Sequence, residues 1–307
     1  MASPSTASLP VSTSSTVPSA STVPTSVDSN QDDNPPTVRF TNVQDLFDVI
    51  NCATGDFLTV THVSPSHFTR IEREREKRRR KFRFRRYDSN SRILLITITT
   101  RLHETLHLAL YYGCYSTKLV RAGMDRDWTP IGATTFRQQG HHGEDVGEGD
   151  STGGPRPERS GCNKWPTLVI EAGHSEPLNE LHNDMRWWFR TSDHDVQIVI
   201  LAKFDHRQQH ILLEQWEEEI SYPQGAITRS RSRAATMLEP VKRQSITITR
   251  DETTNPVSYN VTRGALVLGF RRLFLRDPGP QDGDFIFCIQ DLQRYAEDVW
   301  GVVPGLD

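Results

Sequence analysis

The chain has 307 residues, a net charge of −3 and a hydrophobic share of 35%, below the roughly 45–50% of an ordinary globular chain. That length allows one large domain or two ordinary ones. With a mean hydropathy of −0.57 and no run near the roughly 18 apolar residues of a spanning helix, a membrane-embedded chain is excluded. Cys52, Cys114, Cys162 and Cys288 lie far apart with no CxxC pair, which argues against a disulfide framework or a zinc ribbon. The first basic residue is Arg39, so neither a secretory n-region nor an Arg-rich transit peptide is expected. The expected location is intracellular, nuclear or cytoplasmic.

Residues 1–36 are Ser, Thr, Pro and Ala with a polar finish, a composition that cannot offset the entropy of ordering and reads as a disordered tail. Val43, Leu46, Phe47 and Ile50 predict a helix over 43–52. The block RIEREREKRRRKFRFRR (70–86) holds nine Arg and two Lys against three Glu. On an acidic chain it reads as a polyanion contact, an import signal or a solvated helix end, with Lys77, Arg78, Arg79, Arg80 and Lys81 as the phosphate-contacting candidates. KFRFRRY, the turn DSNS and RILLITIT form a hairpin pattern. A helix over roughly 101–122 closes at Gly123, and the Gly-rich stretch 139–164 reads as a long connection. TLVIEAG (167–173) is a short apolar strand. Ser175 is placed to cap a helix whose stripe is Leu178, Leu181, Met185 and Trp188. Strands are predicted at 196–204, 210–218, near 244–250, 264–274 and 284–288, with a polar linker RSRSRAA and a closing helix over 289–300. The order of elements is that of a mixed α/β core, divided as tail 1–36, core 37–220 and C-terminal strands and helix 221–307.

His103, Glu104 and His107 spell H-E-T-L-H on the 101–122 helix. The i, i+4 spacing puts both imidazoles on one face, where they can share a zinc ion while the Glu activates a bound water. Asn179 to Asp184 resembles the N-E-x-x-x-D element of thermolysin-like peptidases, so a zinc metallopeptidase is one reading. Arg101 stands where that pattern prefers an uncharged residue, and Glu180 follows His107 by 73 positions, longer than the usual spacing. The two histidines also fit a partly buried helix face near Tyr111.

Trp165-Pro166-Thr167-Leu168-Val169-Ile170-Glu171, followed by a helix, resembles the P-D-L-V-x-E strand of restriction-endonuclease-like proteins, within the PD-(D/E)XK nuclease superfamily. It is also similar to a set of uncharacterised fungal proteins with the pattern W-P-T-L-V-I-E-A-G-x-S-E. The resemblance runs over roughly 40–300 and implies a restriction-endonuclease-like mixed sheet flanked by helices, with a C-terminal β/α addition. It also implies a phosphodiester-directed nuclease using Mg²⁺ or Mn²⁺, because a hard cation selects converging carboxylates. The matching positions are Glu104 on the first helix, Asp150 in GEGDS and Glu171 on the strand, with Asp150 and Glu171 as metal ligands. Gly173 occupies the position of the motif's Lys, which implies impaired catalysis unless Lys203 or Arg186 supplies the cation. Glu171 is the most informative of these residues, since a carboxylate within an apolar strand is costly unless paired or coordinated. A non-catalytic nucleic-acid or protein binding module that retains only the fold is the third reading.

Overall fold

The largest apolar side chains select the elements, and the computed structural model describes residues 36–79, 82–140, 143–221 and 237–303. After β1 (Thr37–Arg39), Val43, Leu46, Phe47 and Ile50 are all buried on α1 (Val43–Cys52), whose N-cap Asn42 accepts from the Asp45 N–H. β2 (Phe57–Thr61) leads to α2 (Pro65–Lys77), capped by Ser64, with Phe68 and Ile71 as its buried apolar residues. β3 (Phe82–Asp88) and β4 (Ile93–Ile98) form the expected hairpin. The expected helix over 101–122 is present in three parts: α3 (Arg101–Leu108), a π-helical stretch Ala109–Ser116 and α4 (Thr117–Arg121), with Gly123 left-handed at φ 69°. Then come β5 (Trp128–Pro130), β6 (Thr135–Gly140), β7 (Gly143–Glu148), β8 (Ser151–Pro155), β9 (Leu168–Gly173), α5 (Leu178–Thr191), β10 (Ile198–Asp205) and β11 (His210–Ser221). The C-terminal part contains β12 (Met237–Asp251), β13 (Ser258–Thr262), β14 (Leu266–Leu268), α6 (Phe270–Phe274), β15 (Phe285–Phe287) and α7 (Ile289–Trp300).

The fold is mixed α/β. A six-stranded sheet runs β1-β2-β4-β3-β7-β6 and a seven-stranded sheet runs β13-β12-β11-β10-β9-β8-β5, with a two-stranded β14-β15 ladder beside them. Within the larger sheet β5, β8 and β9 are successively antiparallel, while β9 and β10 are parallel and joined through α5. One face of β9 and β10 (Leu168, Ile170, Ala172, Ile198, Ile200) shares a core with Leu102 and Leu106 of α3 and Leu292 and Tyr295 of α7. The opposite face (Val169, Val199, Leu201) packs on Leu181, Met185 and Trp188 of α5, the stripe expected from helical spacing. A separate core under the six-stranded sheet joins α1 and α2 to β2, β3 and β4.

Three sequence expectations fail for identifiable reasons. The stretch 139–164 is not one long connection, since it contains most of the β6–β7 hairpin and all of β8. Its glycines mark close packing. A Cβ at Gly153 would lie 2.5 Å from Trp128 Nε1 and 2.6 Å from Tyr111 Oη, so glycine is what lets those rings reach the strand. The expected strand 264–274 divides into β14 and α6, because Phe270, Leu273 and Phe274 bury one helical face after Gly269. Ser175 does not cap α5, whose N-cap is Pro177. Its hydroxyl accepts from the Asp56 N–H at 2.9 Å. The tail up to residue 35, the RSRSRAA linker, Arg80 and Lys81 lie outside the described residues.

Gly147 on β7 gives the packing a direct test. A Cβ there would lie 2.6 Å from Trp187 Cζ3 and 3.0 Å from the Arg85 carbonyl oxygen. Gly147→Ala is expected to destabilise the protein by about 1–3 kcal/mol through overpacking, read as a lower denaturation midpoint at unchanged slope. An unchanged midpoint would show that Trp187 can retreat.

Candidate functional site

Strand β3 organises the site. Phe82, Phe84 and Tyr87 are buried in the core under the six-stranded sheet, while a bulge between Phe84 and Arg86 leaves Arg85 without a cross-strand partner. The arginines of this strand point into the carboxylates of the larger sheet. Arg83 Nη1 donates to Asp150 Oδ1 at 2.8 Å and Nη2 to Glu104 Oε1 at 2.8 Å. Arg85 bonds Asp184 through Nε, and its Nη1 lies 2.7 Å from Glu176 Oε2 and its Nη2 3.9 Å from Glu171 Oε2.

Asp150 heads β8 and is buried. Its Oδ2 accepts from the Ala172 N–H at 2.8 Å, and its Oδ1 lies 3.0 Å from His103 Nε2. His103 and His107 on α3 are both fully buried. His103 Nδ1 meets Asp56 Oδ2 at 3.1 Å, and His107 Nδ1 meets Ser151 Oγ at 2.8 Å. Asp56, just before β2, is anchored by the N–H groups of His174 and Ser175, each at 2.9 Å. Donor atoms of His103, His107 and Asp150 all lie within 4.8 Å of one another, and these three residues could hold a metal ion. His103 Nε2 is buried and, although 3.0 Å from Asp150 Oδ1, is not aligned for a hydrogen bond to it, which fits a ligand atom.

Burial disfavours the His103 cation, but Asp150 and Asp56 outweigh it and push the imidazole up to about 10. Burial likewise opposes ionisation of Asp56 and Asp150, and the same His103 charge holds both carboxyls well below the usual range. His107 is pushed down by burial.

The other expected residues are distributed around this centre. Glu104, about one-third exposed, joins Asp150 through Arg83 and lies 3.4 Å from His107 Nε2. Together with Phe82, Arg83, Thr99, Thr100 and Arg101 it lines an open cleft of about 460 Å³. Glu171 is buried, accepts from Trp188 Nε1 at 2.5 Å and faces Arg85. Burial and the Asp150 charge push its carboxyl well up, so it favours the protonated form. The cation beside it is Arg85 of β3. Lys203 pairs in register with Gly173, but its ammonium donates to the His174 carbonyl at 2.6 Å rather than to Asp150 or Glu171. Arg186 donates to Asn183. Glu180 lies 3.7 Å from Arg86, and both it and Asp184 are engaged by β3 rather than by His103 and His107.

In the basic block, Lys77 and Arg79 are exposed, while Arg78 is engaged by Glu74 and by Gln44 Oε1 at 2.7 Å. Arg75 turns inward onto Glu148 at 2.7 Å. Sequence reasoning missed Asp56, Arg83, Arg85 and Glu176. The one local signal was F-R-F-R-R, whose phenylalanines claim one strand face and leave arginines on the other. No protein-family model matches the chain, and no curated protein matches it significantly.

The His103 shift predicts a pH dependence. A cation favoured in the folded state contributes stability that is complete below the ordinary value of 6.5 and is lost as pH rises through about 10. Melting temperature measured in chelator should therefore fall from pH 6.5 to 10, and the fall should be shallower in His103→Gln. Parallel profiles would show that His103 is neutral throughout.

Proposed function

We propose that the chain is a metal-dependent, phosphodiester-directed, nuclease-like protein that works at the cleft beside α3. The observation that carries this reading is topological. After helix α3 the larger sheet takes the antiparallel strands β5, β8 and β9, with β6 and β7 of the other sheet inserted between β5 and β8, and then crossover helix α5 and parallel strand β10. Apart from that insertion, this order fits the restriction-endonuclease-like core that the PD-(D/E)XK resemblance implies. Asp150 then stands at the head of β8, Glu171 on the neighbouring strand and Glu104 on the preceding helix.

The chemistry around the cleft supports the same substrate class. Arg83 and Arg101 line it together with the hydroxyl residues Thr99 and Thr100, a set suited to an anionic ester. Arg70, Arg73 and Lys77 recur along α2 and are exposed, at the spacing of one helix face. A divalent cation anchored at Asp150 would polarise the phosphoryl oxygen and lower the pKa of a bound water. Glu104, at the cleft edge, is the group placed to take a proton. Burial raises its carboxyl, but His107 and Arg83 more than offset that and hold it below its ordinary value, so it is ionised at neutral pH. Glu171, which the resemblance would make a second metal ligand beside Asp150, faces Trp188 and Arg85 instead and on this reading braces β9 against α5.

Asp150→Asn should abolish metal-dependent cleavage of single- and double-stranded nucleic acid while leaving binding within a few-fold of wild type. Replacing Arg70, Arg73 and Lys77 by Ser should flatten the slope of log affinity against log salt by about 3, since each lost phosphate contact removes about 0.9. Cleavage surviving in Asp150→Asn, or a wild-type chain with no nucleic-acid affinity at low salt, overturns the reading.

A further inference from the structure

We infer that His103, His107 and Asp150 form a site for a first-row transition ion of the Zn²⁺ type, and that Arg83 is a built-in cation which this ion displaces. The inference deepens the phosphodiester reading and rests on it only in what the ion is for.

The donor geometry comes first. The ligating atoms of the three residues lie within 4.8 Å of one another and all three residues are buried. Each imidazole has its far nitrogen engaged. The Asp56 carboxylate receives the N–H groups of His174 and Ser175 and accepts from His103 Nδ1, so His103 Nε2, 3.0 Å from Asp150 Oδ1, is the nitrogen that would give up its proton to an ion. Ser151 Oγ, which can donate or accept, engages His107 Nδ1 at 2.8 Å. Outer partners of this kind fix the tautomer and ring orientation of metal-binding histidines. Asp150 spends Oδ2 on the Ala172 N–H and turns Oδ1 inward. His103 Nε2, fully buried, lies 3.0 Å from that oxygen without the alignment of a hydrogen bond, so the two atoms face one another across the place an ion would take.

Arg83 supplies the second line of evidence. Its Nη1 lies 2.8 Å from Asp150 Oδ1 and 3.4 Å from His107 Nε2, so two of the three donors already converge on a positive nitrogen. The side chain also borders the open cleft and holds Glu104 through Nη2 at 2.8 Å. It can leave Asp150 while keeping a carboxylate partner, so the exchange does not strand a charge.

Ligand type names the metal. Two imidazoles and one carboxylate suit Zn²⁺ and its neighbours, whereas Mg²⁺ prefers oxygen ligands and retained waters. Three protein ligands leave a coordination position for water or substrate.

The test uses the full chain stripped with chelator. Wild type should bind one equivalent of Zn²⁺ in competition with a chromophoric chelator, and Co²⁺ should give the visible bands of a low-coordinate site. His103→Ala should weaken Zn²⁺ at least 100-fold, and Asp56→Asn about 10–100-fold, as loss of an outer partner does. Arg83→Met should tighten Zn²⁺ at least tenfold by removing the competing cation. If Arg83→Met fails to fold, Arg83→Lys, which loses the bidentate fork, should tighten it by a smaller factor. Absence of stoichiometric Zn²⁺ and Co²⁺ binding in wild type, binding indifferent to His103→Ala, or folded Arg83 variants with unchanged affinity would each overturn the inference. Cleavage is scored separately. Mg²⁺-supported nucleic-acid cleavage without Zn²⁺ binding removes this site and leaves the phosphodiester reading, and tight Zn²⁺ binding without nucleic-acid cleavage does the reverse.

Discussion

Arg85 carries a guanidinium into an interior where its side chain is 1% exposed, among Asp184, Glu176 and Glu171. Burying a charge is tolerable only when partners surround it. Here one cation meets three carboxylates, and Arg85 Nη1 also donates to the Ala172 carbonyl at 3.3 Å. Burial pushes the carboxyls of both Glu171 and Glu176 well up, which works against the excess negative charge. This cluster ties β3 of one sheet to β9 and α5 of the other. Removing Arg85 would leave buried carboxylates without their shared cation, so the relation between the sheets depends on this residue.

The same strand delivers Arg83 to Asp150 two residues earlier. The bulge at Arg85 lets Tyr87 return to the core that holds Phe82 and Phe84. In unbroken alternation from Phe84, Tyr87 would fall on the arginine face. A local irregularity in the ladder thus lets one strand serve a hydrophobic core and a polar centre together.

Helix α3 is held with comparable specificity. The helix widens into a π-helical stretch directly after the two histidines, and the buried Tyr295 hydroxyl donates to the Leu106 carbonyl at 3.1 Å, supporting a backbone oxygen near that change of winding. Leu102 and Leu106 pin one face of α3 to the larger sheet, and His103 and His107 then turn toward Asp56, Asp150 and Ser151. No helix among the described residues is long and apolar enough to cross a membrane.

Sequence periodicity by itself determined the α/β class, α1, the β3–β4 hairpin, β9, the α5 stripe, β10, β11 and α7, because in each the buried side chains recur at the spacing of a helix or a strand. The i, i+4 spacing singled out His103, Glu104 and His107, a carboxylate within an apolar strand singled out Glu171, and the family resemblance added Asp150. Periodicity could not find β6, β7 and β8, where glycine and polar residues replace the apolar alternation and the packing partners, Trp128, Tyr111 and Trp187, come from distant segments. Nor could it pair these residues correctly. Asp150 joins His103 and His107 rather than Glu171, and the cation beside Glu171 comes from β3, 86 positions earlier. A charged side chain's partner is set by which strands and helices stack in space, and that was decided only when the two sheets closed on β3.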